Sequence, residues 1–130
     1  MKPDTAEWVL FAEESFSVAG ILEKTRTRGS MNNIICFHCL QCVERYVKGR
    51  LAKGGAKPRK NSKLINLFNK ALRLEPSWTR FLASVTALKL YTGDFLYPGH
   101  VATREDARAA LKICRSFRKE ARLALGLPAK

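Results

Sequence analysis

Acidic side chains are scarce in this sequence: 11 Asp and Glu stand against 24 Lys and Arg, a formal net charge of +13 over 130 residues. That imbalance favours polyanionic partners, whether nucleic acid, a nucleotide or an acidic protein surface; a basic but inert exterior is the plain alternative. Apolar runs are short, and none approaches the roughly 20 residues that a bilayer span needs. No stretch joins a basic face to an exposed apolar one, which argues against membrane binding. The first residues, MKPDTAEWVLFAEESF, carry acids where a secretion signal needs basic and apolar segments, so a cytoplasmic location is expected. Internal repeats, low-complexity tracts and strand-like alternation are also missing.

What is present suits one compact helical domain over residues 1–130. Hydrophobic residues make up 46% of the chain, enough for a core without disulfides or metal. Apolar spacing is helical almost throughout. A first helix is expected from about Thr5 to Glu23, capped by Asp4 or Thr5, with Trp8, Phe11, Ala12, Ser15, Val18, Ala19 and Leu22 as its core stripe. A polar loop over Lys24–Ser30 follows. A second helix runs from Ser30 or Asn32 to Lys53, where Gly54 and Gly55 stop it.

The segment AKPRKNSK reads as a basic loop around Pro58. Leu64, Ile65, Leu67, Phe68, Ala71 and Leu72 make a short third helix, capped by Asn61 or Ser62 and closed by Pro76. A fourth helix is expected from Ser77 to Tyr91, and YTGDFLYPGH reads as an ordered turn. Thr103-Arg-Glu-Asp resembles a capping box that opens the last helix, and Gly126 and Pro128 end it. The expected architecture is an all-α antiparallel up-and-down four-helix bundle with an additional short helix.

Residues 36–42 read CFHCLQC. On a helix, Cys36, Cys39 and Cys42 lie on one side with Leu40, Val43, Tyr46 and Val47, as core residues do. A structural zinc site wants four ligands converging from turns, and the fourth cysteine, Cys114, is distant in sequence. A thioredoxin-type pair needs a preceding strand. Free buried thiols are expected, with no metal and no cofactor assigned. His38 shares the other face with Gln41 and Arg45, beside Glu44 and Lys48. This polar cluster reads either as a satisfied hydrogen-bond network or as a nucleotide or RNA pocket.

Charge is distributed in two blocks. From Arg45 to Arg73 the sequence holds ten Lys or Arg and no acid. Within it, Arg59 and Lys60 are candidates to hold phosphate. In the last helix, Arg104, Arg108, Lys112, Arg115, Lys119 and Arg122 fall in one stripe. Few aromatic residues are free to stack on bases; Tyr97 is one candidate. Sequence-specific recognition has little support.

FHCLQCVERYVKGRLAKGG and LYTGDFLYPGH followed by REDARAALKICRSFRKEARLAL together resemble the HEPN family of small helical prokaryotic domains. That family carries F-x-x-x-Q-x-x-E-K-x-x-K on its second helix; Phe37, Gln41, Glu44, Arg45 and Lys48 fit, with Arg45 in place of Lys. Leu64 and Leu67 fit its Leu-x-x-Leu helix start. The resemblance implies a bundle, often a homodimer, and frequently a minimal nucleotidyltransferase partner in toxin–antitoxin or defence systems. Many members are metal-independent ribonucleases using an Arg and a His.

The usual pair is missing here, because Leu96 replaces the Arg of the R-Y-P turn that Tyr97 and Pro98 complete. His100 with Arg104 is a reversed substitute, and capping or surface placement is the ordinary reading of that histidine. Two functions follow: a non-catalytic module binding nucleotide, RNA or a nucleotidyltransferase through His38, Gln41, Glu44, Arg45, Lys48, Arg59, Lys60 and Tyr97, or a ribonuclease toxin using His38 or His100 with Arg45 or Arg104. A purely structural polar face is the third.

Overall fold

The computed structural model of the chain describes residues 1–25, 31–91, 98–99 and 101–130. All regular structure among them is helical, and no strand forms. Three long helices, α1 (Pro3–Thr25), α2 (Asn32–Lys53) and α5 (Arg104–Ala124), carry most of the mass. Between α2 and α5 lie α3 (Leu64–Leu74) and the short α4 (Leu82–Leu88). Among the described residues no helix is long and apolar enough to cross a membrane.

The second helix is central. It packs on α1 along one side and on α5 along another, and α3 and α4 also reach it. Its composition explains this position: Ile35, Cys36, Cys39, Leu40, Cys42, Val43, Tyr46, Val47 and Leu51 are all buried. Gly49 permits the close approach of α1, since a Cβ there would lie 3.3 Å from the Trp8 Cβ. At the far side, Phe117 of α5 meets Trp78 edge-on at 4.8 Å and Phe81 at 5.4 Å, and Phe68 of α3 stacks on Trp78 at 6.3 Å. Removing a ring as large as Trp78 from such a cluster costs ~3–5 kcal/mol.

The last helix starts as its sequence requires. The Thr103 hydroxyl accepts from the Asp106 N–H at 3.1 Å, and the Asp106 carboxylate accepts from the Thr103 N–H at 2.8 Å. Gly126 follows the C-terminal turn with φ of 77°.

Three expectations need correction. The fourth helix is not continuous: residues Pro76–Phe81 and Lys89–Tyr91 are 3-10 segments on either side of α4. Pro76 at the first position and the Thr79 hydroxyl donating to the Pro76 carbonyl at 2.8 Å favour that tighter turn. The third helix has Lys63 as its N-cap with no side-chain cap, rather than Asn61 or Ser62. Phe11 is 37% exposed instead of buried, because the helix beneath it offers the Arg45 guanidinium at 5.9 Å rather than an apolar wall. The turn expected over YTGDFLYPGH lies mostly outside the described residues.

Candidate functional site: an interior polar face and a basic concavity

The polar side of α2 faces α1. Arg45 donates through Nη1 to the Phe11 carbonyl at 3.0 Å and to Ser15 Oγ at 2.7 Å. Lys48, only 8% exposed, lies 3.6 Å from the Glu44 carboxylate one turn earlier and 5.0 Å from the Trp8 ring centre. A buried ammonium needs such compensation, and the carboxylate and the ring face supply it. Gln41 is half-buried beside them.

His38 is also half-buried, and its ring meets Phe37 edge-on at 5.5 Å. Its Nδ1 is buried with no hydrogen-bond partner among the described residues. Burial, and then the nearby Arg45 charge, push the imidazole below its ordinary pKa, so it is neutral near pH 7.

A denser polar cluster lies where α1, α2 and α5 meet. Glu13 accepts two parallel hydrogen bonds from the Arg118 guanidinium, both 2.7 Å, and another from the Tyr46 hydroxyl. Arg122 donates to the Tyr46 oxygen at 3.0 Å and to the Pro128 carbonyl at 2.6 Å. Burial alone would raise the Glu13 carboxyl, but the hydrogen bonds from Arg118 and Tyr46 and the charges of Arg118 and Arg122 outweigh it and hold the group low. Burial and the bond to Glu13 push the Tyr46 phenol up. Sequence reasoning missed this cluster. Its one signal was Arg118, four residues after Cys114 and three before Ala121, a cation in core register.

All four cysteines are free and fully buried. Cys39 and Cys42 face Cys114 across the α2–α5 seam; its proximity and then burial push both groups up, so both stay thiols. Burial pushes Cys36 up to about 11. Among the described residues no group of three or more His, Cys, Asp or Glu is placed to hold a metal ion.

The second basic region has a different character. Arg59, Lys60, Asn61, Ser62, Lys63, Asn66, Leu67 and Lys70 line an open concavity of about 760 Å³ formed by the loop and α3. Its four cations are exposed, and none makes an ion pair among the described residues.

On α5, Arg104, Arg108, Lys112 and Lys119 are exposed. Arg115 pairs with Glu23 at 3.2 Å, and Arg122 is turned into the Glu13 cluster. The structure thus separates the candidate residues: His38, Gln41, Glu44, Arg45 and Lys48 line the α1–α2 side, whereas Arg59 and Lys60 join Lys63 and Lys70 at the concavity. Tyr97 and His100 lie outside the described residues.

Comparison with known proteins gives one match. A family model described as HEPN domain covers residues 5–123 of the chain. No curated protein and no solved structure matches.

Proposed function

The chain belongs to the HEPN domain family, and on that footing we propose that it is an RNA-binding module whose phosphate contacts are made by the concavity of Arg59, Lys60, Lys63 and Lys70. The observation that supports this reading is the unpaired state of those four cations around one hollow. Asn61, Ser62 and Asn66 add neutral donors there. The lining has no aromatic ring, so binding is to the backbone and not to particular bases. In this reading His38, Gln41, Glu44, Arg45 and Lys48 hold α1 against α2 and so fix the base from which the loop projects. The architecture that we assign to it is an up-and-down bundle of α1, α2, α5 and the interrupted segment Pro76–Tyr91 that holds α4, with α3 as the additional helix. A homodimer and a minimal nucleotidyltransferase partner extend the same proposal, and light scattering of the chain alone and mixed with such an enzyme tests them.

Anisotropy of a labelled single-stranded RNA at 50 and 200 mM KCl tests the RNA reading. Four phosphate contacts predict a drop in affinity of roughly 50-fold between the two salt concentrations. The variant Arg59→Ala/Lys60→Ala/Lys63→Ala/Lys70→Ala is expected to lose most of that salt dependence. An unchanged salt response in this variant refutes the reading.

The unpartnered Nδ1 of His38 favours a second reading. The half-buried ring is neutral near pH 7, the protonation state needed to accept the ribose 2′-hydroxyl proton, with Arg45 nearby to stabilise phosphorane charge. Bulk RNA incubated with the protein in EDTA decides the point: cleavage that disappears in His38→Ala supports a ribonuclease, and intact RNA removes it.

A further inference from the structure

Two glycines sit inside long helices, and only one is explained by the fold. Gly49 is needed where α1 crosses α2. Gly20, in the body of α1, has ordinary helical φ, and a Cβ built on it would meet nothing within 4 Å. A mid-helix glycine weakens its helix relative to alanine, and here no internal contact offsets that cost. Gly20 instead forms part of the floor of a groove of about 370 Å³ between α1 and α5. Phe16 and Ile21 give this groove its apolar surface, with buried Leu111 behind them, and Ile21 is 59% exposed.

Cations border the groove. Lys24 and Arg115 are part of its lining, which contains no acid. Arg108 is exposed on α5 two turns before Arg115, on the same face. Glu23 neutralises Arg115 in part. The Lys24 and Arg108 charges make no ion pair among the described residues.

We propose that this α1–α5 groove docks an acidic amphipathic helix of a different protein. A glycine floor between two helices lets a third backbone approach closely, and apolar anchors at i, i+3, i+4 and i+7 match an apolar trough. The cationic border selects glutamate and aspartate on the flanks of that helix. A second copy packed two-fold through this groove would set its own Lys24, Arg108 and Arg115 against the same three cations, which disfavours it at this site. RNA lacks an apolar face to cover Phe16 and Ile21. The groove is separate from the phosphate-binding concavity, so either site can fail without the other.

The test uses two synthetic helical peptides with leucines at those four spacings, one flanked by glutamates and the other by lysines, each titrated into the full chain. The glutamate peptide is expected to bind more than about tenfold tighter. Gly20→Leu fills the floor and is expected to weaken it by a similar factor, with helix content and melting temperature kept. Gly20→Ala controls for helix stabilisation. The quadruple concavity variant is expected to bind the glutamate peptide as the wild type does. Lys24→Glu/Arg108→Glu, a surface change, is expected to reverse the preference toward the lysine peptide. Equal binding of the two peptides, or no effect of Gly20→Leu and of the charge reversal, overturns the proposal.

Discussion

The acid-free run from Arg45 to Arg73 divides into two halves with opposite fates. In the first half every cation has a partner inside the molecule. Arg45 bonds to α1, Lys48 to Glu44, Arg50 to Glu75 at 2.7 Å, and Lys53 to the Ala124 carbonyl at 2.8 Å. In the second half Lys57, Arg59, Lys60, Lys63, Lys70 and Arg73 are exposed and have no ion pair among the described residues. The lesson is that one charge run can be structural scaffold at one end and unpaired, solvent-facing charge at the other. What decides is whether the helix bearing it is central or peripheral.

Substitutions in the two halves should therefore move different observables. The largest structural effect is expected at the cluster that closes the interior side. Glu13→Ala leaves Arg118 and Tyr46 without their acceptor and Arg122 without its neighbouring carboxylate, and should cost about 3 kcal/mol, less than a fully buried pair because the carboxylate is 30% exposed. Urea unfolding measures this, and RNA affinity at low salt should stay within about twofold. A large loss of affinity in the folded variant would break the division.

The quadruple concavity variant should behave conversely. Its RNA affinity is expected to fall about 100-fold at low salt. Its melting temperature should hold within a few degrees, since surface changes away from contacts cost little. Arg45→Ala comes next. It is expected to cost about 1.5–3 kcal/mol through two charge-assisted hydrogen bonds, with no change in RNA salt dependence. If affinity falls instead while stability holds, Arg45 is a ligand contact and the two halves act together.

Acid provides another probe of the interior half. The Glu13 carboxyl is held below its ordinary 4.5, so the folded state binds fewer protons there than the unfolded chain. Its contribution is complete above that value and is lost as pH falls through the lower folded one. The stability of wild type should decline over this window, and Glu13→Gln should flatten that part of the curve. The smallest effect is expected at Gly49→Ala, where crowding against Trp8 outweighs the gain in helix propensity by about 0.5–1 kcal/mol in a thermal melt.

The sequence made the long helices legible because their signals are local. The α2 boundaries, the inward thiols and the Thr103–Asp106 box each depend on residues a few positions apart. The break around α4 was not legible: Ser77–Tyr91 has helical spacing, but Pro76 and the Trp78 packing settle the first turns as 3-10. The Glu13 cluster was hidden for a different reason. Its members lie on three helices, Glu13 and Arg118 being 105 residues apart in the chain, and only tertiary packing brings them together. Arg59 and Lys60 were visible as charges, whereas their grouping with Lys63 and Lys70 required the path of the loop. The open or covered state of the α2 polar face depended on the approach of α1, which the spacing of α2 alone does not encode.

The thiols shared by α2 and α5 turn that seam into its own clock. With every sulfur at 0% exposure, a small alkylating reagent can react with Cys114 only when the two helices part. The fraction labelled over time, divided by the rate for an unfolded control, then counts those partings. The motion of the central helix is thus measurable by mass spectrometry in the unmodified protein, with no dye and no engineered site.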